Sequence, residues 1–585
     1  MSKISDIAQV VESIVYTPTY ILLGVDYANR VIYQTMEGGF NSIWALDEET
    51  DNRKRLSRVT IHWPGELSLD RTRVLFTRDV SHGKELQVVG YVDLTKDDEI
   101  LYEEMSPVRV LGIVDDEGKS FFVGASEEDV ALYVGERDRS VQKLLKLNTY
   151  ARVTSARKGI VVGEGNLRKD PRSTEIFVFN YNSGEFHVYT PRERSINKNP
   201  YLLSSGKILF ETNAVTGDTG TLMLLDPESG EFSNLKLPSR DLEEYNPVEY
   251  LYYREFEGKL VVIGKKNGKS RVFIDGRKVE VLDGFISNAF LIDQRLYYTY
   301  SSLVKPTRIM VYSDSTNIEV IGSKLPEEVE NALGEVEFVK IKSLDGLDIP
   351  TYVVKTRKND KKKQFVVYVH GGPWSEVADS WTPLISVLAA SGYNVVAPNF
   401  RGSTGYGEKF RLLDIGDPGG GDLMDVEAAT KWALENKLGE EAFIWGYSYG
   451  GYMTLWSTFS KPELFECGVA GAPVADWEEM YMLSDAVFRE FINILFDNKR
   501  ELWKERSPST KVINLKSPIA IIQPQNDTRT PLKPVLNLAY KLMEYGKTFQ
   551  LHVVPGIGHA ITSPNKIAEV LFYMLSFFEK CAEKQ

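Results

Sequence analysis

The chain has 585 residues, a net charge of −13 at neutral pH, 43% hydrophobic and 26% charged residues, and only two cysteines. That length is too great for one hydrophobic core and predicts two domains. The acidic balance argues against a nucleic-acid partner, two cysteines are too few for a secreted disulfide framework, and no stretch approaches the roughly 20 apolar residues that span a bilayer.

Residues from about 5 to 17 carry Ile7, Val10, Val11 and Ile14 at helical spacing and predict one amphipathic helix. Met1 to Val15 lacks a continuous apolar core before a small-residue cleavage site, so it is not read as a signal peptide. A cytoplasmic protein that does not engage a membrane is expected. For about 300 residues thereafter, short strands rich in Val, Ile, Tyr and Phe alternate with turns such as Glu228-Ser229-Gly230-Glu231. The units start near 22, 66, 109, 152, 199, 247 and 284. That period is the period of a four-stranded propeller blade, and seven blades are predicted.

The basic run Arg357 to Lys363 reads as a solvated turn. From about residue 335 strands alternate with helices instead. Gln364 to Val369, Asn394 to Ala397, Ala442 to Trp445, Ile519 to Gln523 and Phe549 to Val554 are near-continuous apolar runs with helical segments between them. This grammar predicts a mostly parallel, doubly wound sheet covered on both faces. Cys467 falls in an apolar stretch and reads as a small core residue, and Cys581 lies near a charged terminus. Neither suggests a disulfide or a metal site.

Gly446-Tyr447-Ser448-Tyr449-Gly450 lies between an apolar strand and a helical segment. That is the strand–turn–helix context of a nucleophile elbow, which makes Ser448 the candidate nucleophile. A serine hydroxyl needs a base, and in this fold the order is Ser, then Asp or Glu, then His. Only His552 and His559 follow Ser448. His552 sits inside the strand, whereas His559 comes just after it, at the carboxyl end where such sheets place their sites. Asp527 follows the strand Ile519 to Gln523 and is the candidate acid, with Asp476 as the runner-up. The backbone N–H of Tyr449 and that of Gly372, in His370-Gly371-Gly372-Pro373, are the expected oxyanion donors. His370 precedes the nucleophile and is expected to brace its loop. Arg529 reads either as a clamp on substrate or as an ion pair bracing its loop. Phe488 and Phe491 line an apolar pocket or form a helix core face.

These residues resemble the prolyl oligopeptidase family of serine peptidases, most closely archaeal-type acylaminoacyl peptidases. The resemblance rests on His370-Gly371-Gly372-Pro373, Asn399 to Gly407, Gly419-Gly420-Gly421 leading to Asp425-Val426, Gly446 to Met453, Asp476 to Tyr481, Pro524 to Pro531 and Gly558-His559-Ala560. It spans the C-terminal half and is weaker in the propeller half. It implies a helix in residues 1–20 that packs on the hydrolase domain, a propeller in 21–328 and an α/β-hydrolase domain in 329–585. It also implies cleavage of short N-blocked peptides to release an N-acyl amino acid, activity on small esters, no metal or organic cofactor, and assembly into homo-oligomers. An oligopeptidase, a dipeptidyl peptidase or a carboxylesterase are the alternative readings. A propeller binding protein with a vestigial hydrolase is the reading from another class.

Overall fold

The computed structural model describes residues 2–583 except 103, 148, 171 and 359–362, so part of the basic run lies outside the described residues. Seven four-stranded antiparallel sheets follow one another from Tyr20 to Ile321. They begin at residues 20, 64, 109, 151, 197, 249 and 285, each within two residues of the expected start. Each blade has strands of alternating or continuous burial, and neighbouring blades bury their faces against one another. Ile32, Val74 and Phe122, for example, share one core although they come from three successive blades. The first and last blades close the ring through polar contacts. The Leu22 N–H donates to Thr299 Oγ1 at 2.9 Å, and Asn288 Nδ2 donates to the Leu22 carbonyl at 2.6 Å.

The second half forms one eight-stranded sheet. Numbered within this half, its strands are β1 Leu333–Lys342, β2 Asp348–Thr356, β3 Gln364–Val369, β4 Val395–Pro398, β5 Glu441–Tyr447, β6 Cys467–Gly471, β7 Ile519–Pro524 and β8 Phe549–Val554. Their order is β1-β2-β4-β3-β5-β6-β7-β8. The β1–β2 and β2–β4 pairs are antiparallel, and every later pair is parallel. Central β3 and β7 are buried at every residue, which explains their unbroken apolar runs. The helix Ser2–Val15 packs Val11 and Ile14 into the core that also holds Leu571 and Met574 of the C-terminal helix Pro564–Glu583.

One expectation fails. Cys467 on β6 and Cys581 on the C-terminal helix form a disulfide. They are 114 residues apart, so no local spacing announces the pair, and only the docking of the last helix on the sheet brings the sulfurs together. No described helix is long and apolar enough to cross a membrane.

Candidate active site

β5 ends in a sharp turn into the helix Tyr449–Ser460, with Ser448 at φ 61° and ψ −122°. That backbone is strained for a residue with a Cβ and lifts the side chain above the sheet. The turn tolerates only glycine around it. A Cβ on Gly446 would lie 2.4 Å from the Gly450 carbonyl oxygen, and one on Gly450 would lie 2.0 Å from that of Val369.

Asp527 and His559 occupy the loops after β7 and β8. His559 Nδ1 donates to Asp527 Oδ2 at 2.7 Å, and this leaves Nε2 to accept from the Ser448 hydroxyl at 2.9 Å. Asp527 is fixed by its own loop. Its Oδ1 accepts from the Arg529 and Thr530 N–H groups at 2.9 and 2.8 Å, and its Oδ2 also accepts from the Thr530 hydroxyl at 2.9 Å. The backbone of His559 is held by the Tyr447 hydroxyl, 3.0 Å from its carbonyl oxygen. The structure therefore brings Ser448, His559 and Asp527 together in one chain of hydrogen bonds. Asp476 stands elsewhere. Its carboxylate caps the helix Trp477–Leu483, accepting from the Glu478 and Glu479 N–H groups. His552 stacks on Tyr573 at 4.1 Å between ring centroids.

Gly372, Ser448 and Tyr449 line one cavity of about 120 Å³. Tyr449 is the first residue of its helix, so its N–H has no intrahelical acceptor and points with the helix dipole toward developing negative charge. Gly371 packs so closely on Ser448 that a Cβ there would stand 3.4 Å from its Cβ. His370 braces this loop. Its ring stacks on Phe400 at 4.3 Å, Nδ1 donates to the Gly371 carbonyl at 2.7 Å, and Nε2 accepts from the Ser403 hydroxyl at 2.8 Å. Burial pushes its pKa down to about 4, so it remains a neutral strut at neutral pH.

Phe488, Phe491, Trp477 and Met480 form the apolar wall of the same cavity, beside Arg529. Phe491 also packs edge-on against Trp374 at 5.4 Å, so it serves both the pocket and the core. The Arg529 guanidinium is engaged by a residue that sequence reasoning missed. It binds both carboxylate oxygens of Glu85, from the propeller, at 2.7 and 2.5 Å. Glu85 also pairs with Arg109, whose Nε donates to Asp485 at 2.7 Å, and it lies 3.6 Å from His62 Nε2. Burial alone would raise the Glu85 carboxyl, but His62 and the two guanidiniums outweigh it and hold the group far below the usual carboxylate range. A turn glutamate in a repeat unit carries no local signal of this role. A second ionic contact ties the propeller to the oxyanion side, where Lys265 pairs with Glu376 and Lys198 reaches Glu408 at 2.6 Å. Among the described residues no group of three His, Cys, Asp or Glu side chains is arranged to hold a metal.

Comparison with known proteins gives two family matches. Residues 31–310 match the acylamino-acid-releasing enzyme-like N-terminal domain, and residues 380–585 match the prolyl oligopeptidase family. The uncharacterized peptidase YuxL of Bacillus subtilis is 26% identical over 54% of this chain and 51% of its own length. Dipeptidyl aminopeptidase BIII of Pseudoxanthomonas mexicana is 26% identical over 56% of this chain and 51% of its own. The chain thus spans about half the length of these curated relatives. An acylaminoacyl peptidase structure from Pyrococcus horikoshii superposes with a TM-score of 0.72 at 18% identity over 97% of both chains, a likeness of fold.

Proposed function

We propose that the chain, whose residues 380–585 match the prolyl oligopeptidase family, is a serine peptidase of that family that cleaves short N-blocked peptides and releases an N-acyl amino acid. The hydrogen-bonded chain Ser448–His559–Asp527 at the mouth of an apolar cavity carries this reading. In the first step Ser448 Oγ attacks the scissile carbonyl while His559 Nε2 takes its proton. The N–H groups of Tyr449 and Gly372 receive the oxyanion, each worth about 3 kcal/mol in the transition state. His559 then gives the proton to the leaving amine, and water attacks the acyl-enzyme by the same route in reverse. Asp527 stabilises the imidazolium without accepting its proton. A residue with an apolar side chain fits between Phe488, Phe491 and Trp477, next to the cut. Small esters have the same carbonyl chemistry with a better leaving group and should also react.

The state of Glu85 favours a blocked over a free N-terminus. An enzyme that takes a free dipeptide end needs carboxylates available to its ammonium. Glu85, which borders the pocket through Arg529, is buried and already shared by Arg109, Arg529 and His62. The neighbouring carboxylate of Asp485 is spent on Arg109. The site therefore offers an ammonium no free anion at this wall, whereas an uncharged acyl group loses nothing by entering.

We divide the chain into a helical segment 1–20, a propeller 21–328 and a catalytic domain 329–585, with no cofactor. A cytoplasmic setting accords with the Cys467–Cys581 bond where intracellular proteins keep disulfides, as they do in hyperthermophiles. The test is a reporter panel of acetyl-Leu, free Ala-Pro and blocked Gly-Pro anilides. Acetyl-Leu should be turned over fastest, and Ser448→Ala should lose about 10⁴-fold or more of kcat on every member. Preference for free Ala-Pro would return the reading to a dipeptidyl peptidase, and equal activity of the alanine variant would remove Ser448 from the chemistry.

A further inference from the structure

Beneath the proposed oxyanion donor lie two carboxyl groups that the mechanism does not use. Asp414, at the end of the turn Leu412–Asp414, and Asp422, in the first turn of the helix Gly421–Glu435, are both 0% exposed. The Tyr449 side chain points down between them. Its hydroxyl donates to Asp422 Oδ2 at 2.6 Å and lies 3.4 Å from Asp414 Oδ2. The two acids are not equivalent. Burial raises the Asp422 carboxyl to about 6, but it also accepts from the Gly419 N–H at 3.1 Å and the Leu423 N–H at 2.8 Å, which favour its ionised form over that of Asp414. Asp414 Oδ1 has no hydrogen-bond partner among the described residues.

The charged groups on the surrounding elements do not relieve the pair. Arg401 is committed to Asp425 and Asp345. Arg506 is committed to Asp417. Lys499 donates to the Gly416 carbonyl. Tyr452, which packs on Tyr449 at 5.2 Å between ring centroids, adds no positive charge. Two like charges buried this close together, with every neighbouring cation committed elsewhere, cannot both persist. Burial, with Asp422 and Asp417 beside it, holds the Asp414 carboxyl well above the usual carboxylate range.

The upper side of Tyr449 is held as well. Its ring stacks on Phe400 at 5.9 Å, and Phe400 stacks on His370, the brace of the loop that carries Gly372. Tyr449 is thus clamped between an aromatic stack above and the acids below, and its own N–H is the group offered to the oxyanion.

We propose that Asp414 keeps its proton in the folded protein, and that Asp414, the Tyr449 hydroxyl and Asp422 form a singly charged hydrogen-bonded chain that positions the Tyr449 oxyanion donor. Asp414 O–H donates to Tyr449 Oη, and Tyr449 O–H donates to the Asp422 carboxylate. One proton is shared and one negative charge remains, and both acids are positioning residues. The inference rests on Ser448 acting as nucleophile.

The decisive variant is Asp414→Asn, which imitates the neutral acid but cannot ionise. The folded wild type holds a proton that its unfolded chain releases above about pH 4, so wild type loses stability as pH rises from there, and the asparagine variant, in which only Asp422 still titrates, loses less. In the full-length protein the Tm of Asp414→Asn relative to wild type should therefore climb as pH rises above about 5. Asp414→Ala, which cannot hydrogen-bond the Tyr449 hydroxyl, should lower kcat on an acetyl-Leu anilide at neutral pH by about tenfold with KM little changed, because the oxyanion donor is no longer held. A Tm difference for Asp414→Asn that is flat or falls with pH, or an unchanged kcat in Asp414→Ala, would overturn the proposal. Should Asp414→Asn not fold, Asp422→Asn serves instead. It leaves Asp414 buried and still protonated, so the loss of Tm with rising pH should persist in reduced form, and its disappearance would sink the idea. Ser448→Ala on the same substrate reports separately whether the nucleophile itself is correctly assigned.

Discussion

The hydrolase half and the propeller half each bring one buried carboxylate to Arg529, and the two are held in different ways. Asp527 accepts the backbone N–H groups of residues two and three positions ahead, so its own loop shapes it before any distant partner arrives. Glu85 sits at φ 59° in a propeller turn and finds its partners at Arg109, His62 and Arg529, the last 444 residues away. Local hydrogen bonds make the first carboxylate a property of its loop. Closure of one half on the other makes the second a property of the assembled molecule. Chemistry can therefore reside in the hydrolase half, while the propeller half sets which charges remain free at the pocket wall.

Three substitutions break or sharpen this contrast. Asp527→Asn should leave the fold intact and lower kcat by about 10⁴-fold, because the imidazole loses the partner that selects its tautomer. Steady-state kinetics with an acetyl-Leu anilide measures it, and a loss confined to KM would contradict the assignment. Cys581→Ser should destabilise only the hydrolase half, since both sulfurs belong to it, and a loop of this length implies about 4 kcal/mol. Guanidinium unfolding followed by calorimetry of the separate transitions checks this, and a shift of the propeller transition instead would refute it. Glu85→Ala removes the anion between the buried Arg109 and the half-buried Arg529 guanidiniums and should cost about 3 kcal/mol of stability. Its KM for blocked substrates should rise while kcat stays within about threefold, because no triad hydrogen bond involves Glu85. A collapse of kcat would show that the propeller carboxylate acts on the chemistry itself.

Much of the architecture was legible because its periodicities are local. Blade strands alternate with turns at a constant interval, and buried parallel strands read as unbroken apolar runs such as Gln364–Val369. The three residues of the proposed triad share a related mark, since each follows an apolar strand at its carboxyl end, and the structure brings them within hydrogen-bond distance. Other features had no such mark. Asp414 looks like an ordinary turn acid and Asp422 like an ordinary helix-start acid until Tyr449 is found between them. Arg529 was open to two readings, and its partner proved to be a propeller glutamate. The disulfide escaped because 114 residues separate its ends and nothing in either neighbourhood resembles a paired motif.

The sequence alone determined the repeat, the change from all-β to alternating β and α, and the elbow at Ser448, because each follows from side-chain period, glycine placement and steric limits over a few residues. Tertiary structure alone decided which charges meet: Glu85 pairs with two arginines and Lys265 with Glu376, while Asp414 and Asp422 crowd one tyrosine hydroxyl. A charge buried away from water depends on whatever lies within a few ångströms, and those neighbours come from segments hundreds of residues apart.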